Sequence, residues 1–220
     1  MPLTLSERPQ RLTPEILDNL PADHPEAIKS RDDIRAFNRA LGNWRWITEA
    51  LPPRMKAGEK ILEVGAGTGE LCAELNKLGL PTDGLDLAPR PANVPAASSW
   101  HQTDLLEFKG WETYRIVIGN LFFHHLDAVQ LATLGEHLNR HARLIMIGDV
   151  RRGRWQQWFF AALARSLRAN YVSRHDGWVS VAAGFRSHEL PRLLGLDPRS
   201  WTWKFPRHFF AYRVIAERRP

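Results

Sequence analysis

Residues 61–71, ILEVGAGTGEL, constrain the fold more than any other part of this chain. Ile61, Leu62 and Val64 form an apolar run suited to a strand covered on both faces. Gly65, Gly67 and Gly69, at alternate positions, let the backbone turn sharply and let a flat ligand lie against it. The next segment carries Leu71, Leu75 and Leu78 on one helical stripe and meets Gly79 at its end. Strand, glycine turn and helix in that order predict an α/β domain that binds its ligand beyond the carboxyl end of the first strand.

Two carboxylates sharpen this expectation. The spacing from Gly65 is G-x-G-x-G, not the G-x-G-x-x-G of dinucleotide sites. Glu63 precedes the first glycine by two positions, where it suits a cationic ligand, and Asp86 closes the next apolar stretch, where a carboxylate can accept both hydroxyls of a ribose. This pattern resembles the class I, Rossmann-like S-adenosylmethionine-dependent methyltransferases of the small-molecule type. The resemblance continues in order along the chain. Asp104 matches the family's third acidic position, residues 116–126 (IVIGNLFFHHL) its fourth strand and following loop, and residues 144–149 (LIMIGD) its fifth strand.

The resemblance implies a seven-stranded, mostly parallel sheet with helices on both faces and a C-terminal antiparallel hairpin. It implies that Glu63, Gly65, Ala66, Gly67, Gly69, Asp86 and Leu87 bind S-adenosylmethionine, that Asp104 and Leu105 meet its adenine, and that Asn120 lies near its methionine part, with S-adenosylhomocysteine as product. One departure from the family stands out. Residues 87–97 hold Pro89, Pro91 and Pro95, which preclude the usual helix between the second and third strands and predict a loop.

The chain's 220 residues suit one α/β core. We expect residues 1–55 to form a helical cap and residues 56–220 the methyltransferase domain. The single cysteine, Cys72, excludes an internal disulfide and a cysteine-built metal cluster. No apolar run approaches the roughly 18 residues of a spanning helix, and residues 1–8 lack an apolar signal core, so the cytoplasm is the expected location. The net charge of +6 raises nucleic acid as a partner, but the arginines are scattered and no long basic run interleaves with aromatics. Within the cap, Thr13-Pro14 predicts a short helix over 14–20, and Ser30, Asp32 and Asp33 predict a second over 31–51, ended by Pro52-Pro53. Further on we expect a helix over 154–169, a loop around 173–181, a short helix after residue 184, and a hairpin of 201–205 with 209–216.

Methyl transfer from a sulfonium is an in-line displacement, so the protein mainly aligns the acceptor and excludes water. A phenol or enol acceptor also needs a base, and no metal is required. His125, following the fourth strand, and His175, beside Asp176 and Gly177, are the base candidates. Asp149 ends the fifth strand, where it can orient a histidine. His124, Arg151 and Asp176 are candidate acceptor contacts, Arg151 because a guanidinium fork suits a carboxylate or phenolate. Three functions follow. The first is methylation of a small aromatic, quinone-like or polyketide-like acceptor, foremost at oxygen. The second is methylation of RNA or DNA, for which residues 120–123 (NLFF) resemble an Asn-Pro-Pro-aromatic motif without its prolines. The third is a cofactor-binding scaffold without turnover.

Overall fold

The computed structural model describes residues 12–21 and 23–220. The expected features of residues 1–8 therefore lie outside the described residues. Two helices, α1 (Pro25–Leu41) and α2 (Asn43–Ala50), precede an alternating core of β1 (Ile61–Val64), α3 (Glu70–Lys77), β2 (Thr82–Asp86), β3 (Trp100–Gln102), β4 (Ile116–Asn120), α4 (Ala128–His141) and β5 (Leu144–Val150). Three helices, α5 (Arg154–Ser166), α6 (Tyr171–Ala183) and α7 (Glu189–Leu193), lead to the closing strands β6 (Trp201–Lys204) and β7 (Ala211–Arg218).

The strands form one seven-stranded sheet in the order β3-β2-β1-β4-β5-β7-β6. The first five are parallel, and β7 inserts antiparallel between β5 and β6. Strand order reverses beside β1, and the crevice between β1 and β4 is where an open α/β sheet receives a ligand. Alternation of side chains sorts the core into two faces. Leu62, Val64, Val117, Ile145 and Ile147 pack with Leu131, Leu134 and Leu138 of α4. Ile61, Ile116, Ile118, Leu144 and Met146 pack with Leu71 and Leu75 of α3 and Ile47 of α2. A third cluster joins Phe37 of α1 to Ala164 of α5 and Ala169 before α6. Among the described residues no helix is long and apolar enough to cross a membrane.

Several local expectations are corrected. The helix expected over 31–51 starts earlier and is broken: the His24 ring caps α1 by accepting from Glu26 N–H at 3.2 Å, and Gly42, at φ +62°, separates α1 from α2. Ser30 and Asp33, expected at a helix start, are buried mid-helix because they tie α1 to α6. Asp33 accepts from Asn170 N–H at 3.0 Å and from Ser173 Oγ at 2.9 Å. The helix expected over 14–20 is only a 3-10 turn, Leu17–Asn19, because Ile16 and Leu17 give their N–H groups to the Asp176 carboxylate. The loop expected over 173–181 is the body of α6. The stripe on α3 stops at Leu75, since Leu78 lies beyond the helix end and is exposed. The proline-rich segment 87–97 is a loop, as expected.

Candidate active site

The glycine turn after β1 builds a cleft. Gly65, Gly67 and Gly69 all have positive φ. A Cβ on Gly65 would fall 2.1 Å from the Phe122 ring, whereas one on Gly67 would meet nothing within 4 Å. The first glycine is therefore needed for packing, and the second leaves its face open. The cleft is also lined by Glu63, Ala66, Thr68, Asn38, Asn120 and Leu121. Asp86 stands beside it, its carboxylate accepting from Gly67 N–H at 2.7 Å and Ala88 N–H at 2.8 Å. Lone pairs remain on both oxygens for further donors.

Two buried acceptors in this cleft lack a partner. The Asn120 amide donates to Asn38 Oδ1 at 2.8 Å, but its own Oδ1 receives no hydrogen bond, and neither does Glu63 Oε2. Burial first, then the charges of Glu70 and Asp86, push the Glu63 carboxyl well above the usual carboxylate range, against the pull of a hydrogen bond from the Cys72 backbone. Unsatisfied buried acceptors are costly, so the cleft suits a ligand that brings cationic N–H donors. The amino-acid end of the S-adenosylmethionine implied by the sequence resemblance fits that requirement.

A second cavity, of about 120 Å³, adjoins the cleft and shares Leu17, Ile34 and Leu121 with it. Phe37, Leu41, Val150 and Phe160 make its wall apolar, and Glu15, His124 and His125 supply its polar end. Leu121, on the boundary, has φ +52° and donates its N–H to Gly148 O at 2.8 Å. That left-handed conformation costs a leucine about 1–2 kcal/mol and turns the chain sharply out of β4 toward the histidines.

The two histidines have opposite characters. Asp149, 0% exposed, binds His124 Nδ1 at 2.7 Å. Glu15 Oε1 lies 3.7 Å from His124 Nε2 and 4.0 Å from His125 Nε2. Burial disfavours a charge on His124, but the charge and hydrogen bond of Asp149, joined by Glu15, lift its pKa to about 10. It is therefore an imidazolium at neutral pH. His125 is lowered from the ordinary histidine value, by burial first and by the His124 cation second, and stands neutral. The carboxyl of Glu15 is lowered because the two histidines and the Ser180 hydroxyl outweigh its burial. Glu15, His124 and His125 also bring three ligand-type atoms within 4.8 Å of one another, so among the described residues these are the ones able to hold a metal ion.

The structure gathers only part of the expected set. Glu63, Gly65, Ala66, Gly67 and Asn120 line the cleft, Asp86 is bonded to its loop, and Gly69 opens α3. Asp104 is exposed and caps Leu106 N–H at 2.8 Å, Leu105 is in the core and Leu87 is exposed, so none of the three lines the cleft. His124, His125 and Asp176 line the cavity, but both oxygens of Asp176 hold the backbone of Ile16 and Leu17, which makes it a tether for the segment bearing Glu15. Asp149 is fully buried and lines no part of the cavity; it holds the His124 ring and the Val150 backbone. His175 is half-exposed on α6 and lines no part of the cavity. Arg151 is exposed and donates to His208 O at 3.2 Å, away from the cavity. Glu15, Asn38 and Leu121 were not expected. Glu15 reaches the site through contacts more than 100 residues distant in sequence, with His124, His125 and Ser180, which no local pattern signals.

The profile of a methyltransferase-domain family matches residues 34–194. No curated protein matches the sequence. Among solved structures, the plantazolicin methyltransferase BpumL, in complex with a triazolic desmethylPZN analog and SAH, superposes with a TM-score of 0.67 at 13% identity, covering 93% of each chain. A structure described as the conversion of a disulfide bond into a thioacetal group during echinomycin biosynthesis gives 0.56 at 18% identity, covering 80% of this chain and 81% of the other. The magnesium protoporphyrin IX methyltransferase ChlM from Synechocystis PCC 6803, with bound SAM, gives 0.50 at 13% identity, covering 93% and 88%.

Proposed function

The chain belongs to the methyltransferase-domain family, and we propose that it moves the methyl group of S-adenosylmethionine to the hydroxyl of a small aromatic, quinone-like or polyketide-like acceptor. The observation that carries this reading is the adjacency of the two spaces. A cleft with two unpaired buried acceptors shares three side chains with an apolar cavity that ends at a neutral imidazole. S-adenosylmethionine, when bound, supplies a methyl group activated by positive sulfur.

The residues of the chain do the rest. Glu63 and Asn120 accept from the cofactor's ammonium, Gly67 gives its open face, and Asp86 takes the ribose hydroxyls. Phe37, Leu41 and Phe160 exclude water from the acceptor. His125 Nε2 takes the hydroxyl proton as the oxygen attacks. The nearby Glu15 carboxylate stabilises the cation that His125 becomes. His124, held as an imidazolium by Asp149, fixes Glu15 and the turn that carries both rings. The described part of the expected cap lines the cavity through Glu15, Leu17, Ile34 and Phe37 and is held there by the Asp176 tether.

Two measurements test the cofactor half. Asp86→Ala is expected to weaken S-adenosylhomocysteine binding by about 1–3 kcal/mol, the worth of a charge-assisted hydrogen bond. Unchanged affinity by calorimetry sinks the assignment. Burial raises the Glu63 carboxyl well above the usual carboxylate range in the free protein, and a bound ammonium pulls it back down. Binding is therefore expected to release a proton and to tighten as pH rises. Titrations in buffers of different ionisation enthalpy read this release, and Glu63→Gln should abolish it. The acceptor half is tested by labelled methyl transfer to phenols, with RNA as the competing substrate.

A further inference from the structure

Helix α5 has two apolar faces, and only one is buried. Phe160 and Leu163 turn inward, whereas Trp155, Trp158 and Phe159 lie at helical spacing on the outside. Trp155 is 78% exposed, Trp158 62% and Phe209, in the β6–β7 connection, 63%. These rings make one surface. Trp158 meets Trp178 of α6 edge-on at 5.9 Å, and the Gln156 amide donates to Phe209 O at 3.1 Å.

Helices α5 and α6 and their connection expose charge of one sign only. Residues 150–188 contain seven arginines and a single acid, Asp176, which is buried. The remaining residues balance at 23 basic and 23 acidic; within the segment Arg152 is buried and paired with Glu189, so the exposed excess rests on Arg151, Arg154, Arg165, Arg168 and Arg174. Exposed tryptophans set among arginines suit the headgroup region of a bilayer, where rings enter the acyl boundary and guanidinium groups meet lipid phosphates.

The surface also leads inward. Phe159 and Phe210, stacked with centroids 3.3 Å apart, close a small apolar cavity of about 20 Å³ that they share with Phe37, Leu41, Val150 and Phe160, and those last four also wall the acceptor cavity.

We propose that the exposed aromatic face of α5, with its arginine surround, docks on an anionic lipid bilayer, and that the acceptor is a phenol or enol dissolved in that membrane. The docking stands on the surface alone, and the acceptor class rests on the methyltransferase function proposed above.

Co-sedimentation of the full chain with phosphatidylcholine vesicles, with and without phosphatidylglycerol, tests the docking. Binding is expected only with phosphatidylglycerol and should weaken as salt rises. The variant Trp155→Ser/Trp158→Ser/Phe209→Ser should lose binding at least about tenfold while its S-adenosylhomocysteine affinity, which reports the fold and the cofactor site, is unchanged. Arg165→Gln/Arg168→Gln should lose less and lose its salt sensitivity. Failure of the wild type to bind at low salt, or full retention by the aromatic variant, overturns the proposal. A dimer that the aromatic variant dissolves, or RNA binding that depends on the same rings, assigns the face to that partner and also overturns it. The substrate class is read by comparing alkyl-tailed and untailed phenols in vesicles. The tailed acceptor, which partitions into the vesicle, should have the higher kcat/KM, and equal values reject a membrane-dissolved acceptor. Loss of S-adenosylhomocysteine binding in the wild type contradicts the methyltransferase assignment and leaves the vesicle result standing.

Discussion

Replacement of His125 by alanine is expected to lower kcat about 10²–10⁴-fold, the usual worth of a positioned base, with S-adenosylhomocysteine affinity unchanged. His125 is the one histidine that both lines the acceptor cavity and stands neutral. Its lowered pKa sets the pH profile. Activity should persist through neutrality and fall on the acid side, as pH drops through a value below the ordinary histidine range, because protonation removes the base. His175→Ala should retain near-normal turnover, since that ring lines no part of the cavity. Single-turnover kinetics of the two variants on one phenolic acceptor separate them. Near-normal turnover by His125→Ala would mean that alignment alone drives transfer.

Asp149→Ala is expected to destabilise the fold by about 3–5 kcal/mol, the cost of leaving one member of a buried ion pair alone. The lost carboxylate also accepts from Val150 N–H at 2.7 Å. The sign of the pH dependence follows from His124. Its folded pKa, about 10, exceeds the roughly 6.5 of a free histidine. The pair's contribution is thus complete below about pH 6.5 and is lost as pH rises through 10. Urea unfolding should therefore show the widest gap between wild type and variant on the acid side of neutrality, and the gap should close in alkali. A gap independent of pH would mean that Asp149 acts through the Val150 backbone alone.

The core strands and the glycine turn are legible in the sequence because each is written in contiguous residues. Apolar runs bounded by turn residues mark β1, β4 and β5, and the prolines of 87–97 forbid a helix outright. The cap and the substrate side are less legible, because tertiary contacts decide them. Gly177, Ser173 and Asp176 argue for a turn, yet they lie in α6. Asn170 caps that helix, and Gly177 has no side chain because the Phe160 ring of α5 lies where its Cβ would be. The same holds for Ser30 and Asp33, whose polarity marks a helix start by local rules but whose partners, Asn170 and Ser173, lie across the fold. Glu63, Gly65 and Asn120 could be named from sequence because their places follow from the strand ends. Glu15 could not, because the carboxylate that brings it into the site belongs to α6.

Calorimetric titration of the wild-type chain with S-adenosylhomocysteine tests the central claim most directly, because the acceptor need not be known. Micromolar binding at one site per chain, tightening as pH rises, is the expected result. Absence of binding across the neutral pH range would contradict it.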